Sequence, residues 1–287
     1  PGYRPLREKL AAKINHLYTA SYDADKEITI TSGGTQAIYA AITSIIKEGD
    51  EVIVFEPAYD CYVPAIELNG GIPVQLQLKG PDFHIDWNEV KKMVNQRTRM
   101  IMINSPHNPT GAILTAKDMH QLEKITHNRD IVILSDEVYE HVIFDGYEHQ
   151  SVMRYPKLAE RSFVVFSFGK TFHATGWKTG YCVAPENLMA EFRKVHQFMV
   201  FSVNTPIQMA LSDFMDDASN YTGINTFYQQ KRDHFLKLIK GSRFKPLACS
   251  GSYFQLLDYS KISDEKDTDF AIRVTKEFGV AAIPVSV

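Results

Sequence analysis

Cysteines are few, long apolar runs are missing and charge is nearly balanced, and each shortage removes a class of function. The three cysteines, Cys61, Cys182 and Cys249, lie far apart and form no C-x-x-C pair. That spacing argues against a disulfide framework or a cysteine-based metal site. It fits a reducing, cytoplasmic setting in which the thiols pack as small apolar groups. No apolar stretch approaches the roughly 18 residues that a membrane-crossing helix needs, and the first residues carry no signal-peptide pattern. A net charge of −3 leaves no basic surplus for nucleic acid or an anionic membrane as the main partner. Internal repeats and low-complexity segments are also missing. The chain starts at Pro1 and stops at Val287 just after a strand-like run, so both ends read as cut.

What is present is an ordinary globular composition, 44% hydrophobic and 23% charged, in 287 residues, a length comfortable for two domains. Short runs rich in Val, Ile or Phe cover 28–31, 52–55, 100–104, 131–134 and 163–166, as strands buried on both faces should. Helix-like stretches such as 35–47 and 117–126 separate them. This alternation predicts an α/β domain with a mostly parallel sheet. Beyond residue 205 the pattern changes. Two long helical stretches fill 206–239, a strand interrupted by Gly251 covers 247–257, a helix covers 267–278 and a last strand 280–287. The expected division is a large domain over 1–205, connecting helices over 206–239, and the start of a smaller domain over 240–287.

In open α/β sheets, ligands bind beyond the carboxyl ends of the strands, and a motif follows each of the five runs. Thr31-Ser32-Gly33-Gly34-Thr35 opens a helix, and its free N–H groups suit a phosphate; an ordinary glycine turn reads the same way. Tyr59, in Glu56-Pro57-Ala58-Tyr59, could stack on a planar ligand or simply pack. Ser105-Pro106-His107-Asn108-Pro109-Thr110-Gly111 is a rigid loop whose polar side chain is Asn108; His107 reads as a loop histidine bonded to backbone. Asp136 ends four apolar residues, so it should be buried and need a cationic or hydrogen-bonding partner, or serve as a cap. Lys170, in Ser167-Phe168-Gly169-Lys170-Thr171, stands at a buried strand end, where an amine can lose its proton and attack carbonyls; a surface lysine is the alternative.

Together and in this order, S-G-G-T-Q-A, E-P-A-Y-D-C-Y, S-P-H-N-P-T-G, S-D-E-V-Y-E and S-F-G-K-T-F-H-A-T-G-W-K-T-G-Y resemble the class I aminotransferases. These are pyridoxal-5′-phosphate enzymes of fold type I, and the resemblance covers nearly the whole chain. The combination looks like the methionine aminotransferase and kynurenine/glutamine aminotransferase branch. The resemblance implies a seven-stranded, mostly parallel sheet with a smaller α+β domain. It makes Lys170 the Schiff-base lysine and proton shuttle, and Asp136 the partner of the pyridinium nitrogen. Tyr139 and Asn108 would bond the phenolic oxygen, with Asn108 also touching the substrate carboxylate. Gly33, Gly34, Thr35, Ser167 and Lys178 would hold the phosphate, and Tyr59 would stack on the ring. Many relatives carry arginine where Lys178 stands; a point charge replaces a fork, which phosphate tolerates. A homodimer is implied, with Phe201 and Ser202 near the partner's site.

The resemblance also places a carboxylate-binding arginine beyond Val287 and a partner-subunit tyrosine before Pro1. If 287 residues were the entire polypeptide, it should bind the cofactor and transaminate poorly. Methionine, aromatic amino acids or glutamine are the implied donors to a 2-oxo acid. Three other readings stay open on sequence: a β-lyase or other carbanion enzyme using the same cofactor, a cofactor-sensing domain of a transcription regulator, and a serine acyl-enzyme. The last rests on Ser167-x-x-Lys170 and Lys178-Thr179-Gly180, strings also found in penicillin-binding proteins and β-lactamases. There they come from distant parts of the chain; here the two lysines are eight residues apart, and Ser167 closes a strand.

Overall fold

The computed structural model describes residues 1–286. Seven strands form one sheet: β1 (Ile28–Thr31), β2 (Glu51–Glu56), β3 (Ile72–Gln77), β4 (Thr98–Asn104), β5 (Val132–Asp136), β6 (Ser162–Ser167) and β7 (Gly180–Val183). Their order is β1-β7-β6-β5-β4-β2-β3, parallel throughout except for β7, which pairs antiparallel with both β1 and β6. The expected seven-stranded, mostly parallel α/β fold is therefore what forms.

The apolar runs are continuous because both faces of the sheet are covered. Ile53, Ile101, Ile103, Ile133, Val164 and Phe166 face one core, filled out by Leu6, Leu10 and Ile14 of α1 (Arg4–Tyr18) and by residues of a helix described below. Their neighbours Val52, Val54, Met100, Met102, Leu134, Phe163 and Val165 face a second core with α2 (Gly33–Ile45) and α3 (Tyr62–Leu68). Alternate side chains point to opposite faces, so each strand serves both cores. Every fully buried Ile, Val or Phe contributes on the order of 1.5–3 kcal/mol. Next come α4 (Trp87–Met93) and α5 (Ala116–Thr126). Met119, Leu122 and Ile125 of α5 enter the first core, and α5 starts on a capping box in which Thr115 and Asp118 exchange hydrogen bonds. The short α6 (Pro156–Ala159) precedes β6, and α7 (Phe168–Thr171) follows it directly. After β7 come α8 (Glu186–Met199), which packs on α2, α9 (Thr205–Phe214), α10 (Ser219–Thr222) and α11 (Ile224–Leu238). The last elements are a two-stranded ribbon, β8 (Lys245–Pro246) and β9 (Leu257–Asp258), and α12 (Asp267–Phe278).

The five apolar runs and the helix at 267–278 are found where expected, and three expectations are corrected. Residues 206–239 form three helices rather than two, with a break around α10. Residues 247–257 are not a strand: Gly251 makes one isolated bridge to Ile143, and only Leu257 at the end of the region pairs, as part of β9 against β8, which precedes the region. Residues 280–286 form no strand; Val285 and Ser286 turn back to bond the Asp267 carboxylate, and Val287 lies outside the described residues. Among the described residues, no helix is long and apolar enough to cross a membrane.

Candidate active site

The carboxyl ends of the parallel strands gather the motifs. Helix α2 begins at Gly33, so Gly33, Gly34 and Thr35 are its first turn, and Ser32 gives that turn no side-chain cap. First-turn amides have no partner within a helix and lie at the positive end of its dipole. Gly33 has φ of 80°, a left-handed conformation that favours glycine. Its face is covered by Lys178, whose Nζ lies 3.7 Å from where a Cβ on Gly33 would stand. Ser167 Cβ lies 3.9 Å from the equivalent point on Gly34. At Gly180 a Cβ would sit 2.5 Å from the Phe166 carbonyl oxygen and 2.9 Å from the Gly33 carbonyl carbon, so only glycine lets β7 start this close to α2.

Thr35 continues the chain of contacts, its Oγ1 3.1 Å from the Tyr59 hydroxyl. The Tyr59 ring meets Tyr62 edge-on at 5.8 Å. Tyr62 donates a 2.6 Å hydrogen bond to Asp136 Oδ2, while Val138 N–H donates to Oδ1 at 3.2 Å. Asp136, the last residue of β5, is buried as expected, and the Val138 bond closes a local turn; no helix starts there for it to cap. Burial pushes its carboxyl up to about 6, against the Tyr62 and Val138 hydrogen bonds and the charge of Lys170. A carboxyl so placed gains most from a cationic N–H.

The Asn108 loop is tied to the same strand end. Asn104 donates from Nδ2 to the Asp136 carbonyl at 2.9 Å and accepts from Asn108 N–H at 2.7 Å. His107 is buried, and its expected side-chain bond to backbone is corrected: Nδ1 lies 2.8 Å from Thr110 Oγ1. Burial lowers the His107 imidazole to about 4, so it is neutral near pH 7.

Lys170 is also relocated. It sits on α7, one turn beyond β6, and it is half-buried rather than enclosed at the strand end. Its Nζ donates to the Tyr253 hydroxyl at 2.7 Å and lies 5.7 Å from the Tyr139 ring centre. Burial, followed by a hydrogen bond with Tyr253, keeps the Tyr139 hydroxyl protonated well beyond the ordinary tyrosine range. The amine lines a cleft of about 520 Å³ with His173, Tyr228, Arg232 and Tyr253. Arg232 is occupied by a two-pronged contact with Asp145 at 2.6 and 2.7 Å.

The residues expected at the site thus lie at or just beyond one set of strand ends, with Asn108 tied there through its backbone N–H. Two further members, Tyr62 and Tyr253, were not singled out in sequence. Tyr62 lies inside E-P-A-Y-D-C-Y, three residues after Tyr59, and only its hydrogen bond to Asp136, 74 residues away, gives it a role. Tyr253 stands 83 residues from Lys170 with no motif linking them. Glu137 and Glu140, between and beyond Asp136 and Tyr139, reach other partners. Glu137 accepts from Ser135 Oγ at 2.8 Å and Val152 N–H at 3.1 Å, and contacts His149 at 2.8 Å. Glu140 is bonded by Lys13 and Tyr18.

The group has a definite complement: an anion at the start of α2 beside Lys178, a protonated ring nitrogen at Asp136, a flat ring beside Tyr59 and a carbonyl carbon in reach of Lys170. Pyridoxal 5′-phosphate carries all four, so these residues could hold it.

Comparison with known proteins agrees. The sequence profile of "Aminotransferase class I and II" matches residues 1–287. The methionine aminotransferase of Escherichia coli (strain K12) is 47% identical over 287 residues, covering 100% of this chain and 74% of that protein. Kynurenine–oxoglutarate transaminase 1 of Homo sapiens is 32% identical, with 100% of this chain and 75% of that protein covered. A solved structure of Escherichia coli YbdL, described as having a methionine aminotransferase function, superposes with a TM-score of 0.98 at 47% identity, over 99% of this chain and 76% of that one. With the profile matched end to end and the sheet and helices superposed on a solved relative, this chain belongs to the class I and II aminotransferases, fold type I enzymes that transaminate with pyridoxal 5′-phosphate.

Proposed function

We propose that this aminotransferase takes L-methionine as amino donor, passes the amino group to a 2-oxo acid, and does so on cofactor held by Lys170. The observation that carries the reading is the buried Asp136 carboxyl, raised to about 6, sharing one strand-end group with the Lys170 amine and the uncapped start of α2. Methionine is favoured over aromatic donors and glutamine by the 47% identity to the Escherichia coli methionine aminotransferase.

When bound, pyridoxal phosphate supplies an aldehyde that condenses with amines and a ring that delocalises the charge left when the substrate α-carbon loses its proton. The chain's own residues divide the remaining work. Amides of Gly33, Gly34 and Thr35, with Ser167 and Lys178, take the phosphate through helix N-terminal donors and charge. Tyr59 packs against the ring. Asp136 holds a proton on the ring nitrogen, and Tyr62 fixes the carboxylate that does so. Tyr139, kept neutral, donates to the phenolic oxygen beside Asn108, which also takes the substrate carboxylate. The Lys170 amine, once free, would accept the substrate α-proton and deliver a proton to the cofactor carbon two bonds away, across the nitrogen.

The same reading takes 1–205 as the cofactor-binding domain, 206–239 as connecting helices and 240–287 as part of the smaller domain. It places the enzyme in the cytoplasm, with its three free cysteines, and makes it a homodimer. Phe201, 77% exposed two residues beyond α8, and the exposed Ser202 are the groups offered to the neighbouring site. Light scattering at micromolar concentration should give twice the chain mass; a monomer would remove the dimer from this reading.

The central test is the visible spectrum of the protein with pyridoxal phosphate, before and after L-methionine. A band that needs Lys170 and is lost to the amine form of the cofactor with methionine is expected. A band unchanged in Lys170→Ala would overturn the assignment of that lysine.

A further inference from the structure

Gly251 interrupts an apolar stretch, and the structure gives it a task. The segment around it is wedged between two loops of the site. Ser250 and Gly251 N–H both donate to the Gly111 carbonyl, at 2.9 and 3.0 Å, at the end of the Asn108 loop. Ser252 N–H donates to Val142 carbonyl and Phe144 N–H to Ser250 carbonyl, each at 2.9 Å, just beyond Tyr139. A Cβ on Gly251 would lie 2.6 Å from Pro106 Cβ and 2.9 Å from the Val142 carbonyl oxygen, so no larger residue fits. Ser252 is fully buried with φ of 63°, and its Oγ accepts from Phe254 N–H at 3.2 Å. A serine in the left-handed region is retained where its surroundings over-determine it, and such positions cluster at functional sites.

The side chain this mount presents is Tyr253. Its hydroxyl accepts from Lys170 Nζ at 2.7 Å, and its ring centre lies 5.1 Å from the same nitrogen. The ring meets Tyr139 edge-on at 5.2 Å. The neighbouring Tyr228 hydroxyl is engaged elsewhere, 3.1 Å from His173 Nδ1. Asp136, a buried acid whose carboxyl feels the Lys170 charge, is bonded to Tyr62 and Val138. Tyr253 is thus the hydroxyl that meets the lysine amine directly.

We propose that Tyr253 is a positioning residue for Lys170, its hydroxyl being the seat the lysine amine occupies whenever it is not covalently engaged. The inference rests on Lys170 being the reactive lysine. A neutral acceptor suits this task. Both the amine and the ammonium carry N–H donors, so a phenol oxygen pairs with either. A carboxylate in its place would favour the ammonium through a charge-assisted bond and resist its return as a base.

The test uses the full chain and two variants, Tyr253→Phe and Tyr253→Ala, with Lys170→Ala as control. In cofactor-free protein, labelling of Lys170 by acetic anhydride, measured against the other lysines by mass spectrometry, should rise about tenfold in Tyr253→Phe as the amine loses its partner. With cofactor, L-methionine and a saturating 2-oxo acid, kcat should fall about tenfold while KM stays within about twofold. The α-deuterium isotope effect on kcat should rise, because proton transfer becomes slower than the other steps. The Phe variant keeps the ring, and an unchanged urea midpoint shows that folding is intact. If Tyr253→Phe matches the wild type in labelling, kcat and isotope effect, and only Tyr253→Ala is impaired, the ring merely packs and the proposal falls. If the visible band survives Lys170→Ala, it is the assignment of Lys170 that fails, a result independent of either Tyr253 variant.

Discussion

Asp136 and Glu140 are buried to the same degree, 3% and 4% exposed, on one short segment, yet their chemistry is opposite. Burial pushes both carboxyls up. At Glu140 the charges of Lys13 and His141 overcome it and hold the group well below the usual carboxylate range. At Asp136 the protein supplies two hydrogen bonds and a more distant amine, and the carboxyl stays up near 6. A structural carboxylate has its counter-charge inside the fold. Asp136, proposed to meet the cofactor's ring nitrogen, has only hydrogen bonds in direct contact.

The contrast can be broken most heavily at its structural end. Glu140→Ala should destabilise the protein by about 3–5 kcal/mol in urea unfolding, because Lys13 is left as a buried charge without its partner. Removing both in Lys13→Met/Glu140→Leu should recover most of that loss. Equal losses in the single and double variants would mean the pair is not what holds this region. At the ligand end, Asp136→Ala should lower kcat with L-methionine by hundreds-fold or more, since it removes the charge that supports the ring nitrogen. An unchanged rate would sink its assignment.

A pH series sharpens the difference. In the cofactor-free protein the Asp136 carboxyl binds its proton more tightly folded than unfolded. Its contribution, on the order of 3 kcal/mol, is therefore present below about pH 3.8 and lost as pH rises through about 6. Glu140 has the reverse sign: its contribution is present above its ordinary range and lost only as pH falls below that range toward its lowered folded value. Urea midpoints from pH 4 to 7 should show a downward component in the wild type that Asp136→Asn removes. The smallest effect belongs to Tyr62→Phe, which takes one hydrogen bond from Asp136 and should weaken cofactor binding by about tenfold or less in a fluorescence titration.

The motif S-D-E-V-Y-E displayed both kinds of carboxylate, and sequence reasoning reached only one. Asp136 is legible because it ends an apolar run at a strand terminus. Glu140 depends on Lys13, 127 residues away, and nothing local announces that pairing. The same division runs through the fold. Five strands, β1, β2, β4, β5 and β6, were readable because covering both faces demands unbroken apolar residues. The edge strand β3 includes Pro73 and is only partly buried, and β7 is four residues long and opens on Gly180. Neither declares itself. At 247–257 the apolar pattern suggested a strand, but the residues are held by loops packed around Gly251. Tyr62 and Tyr253 escaped for the reason Glu140 did: their partners are brought by topology.

Strand β7 carries one more consequence. Groups that follow a parallel strand reach the ligand edge as the chain leaves the sheet, and the next parallel strand starts from the far side after a long crossover. A reversed strand enters from the ligand edge. That lets Lys178, which precedes β7, stand at the same rim as Lys170, which follows β6, after only one short excursion of the chain. The two amines are therefore spaced by a single connection, and its length is part of the site's metrics. An inserted residue between 171 and 177 would alter the distance between the Lys170 and Lys178 amines without touching either, so this connection should tolerate changes of residue far better than changes of length.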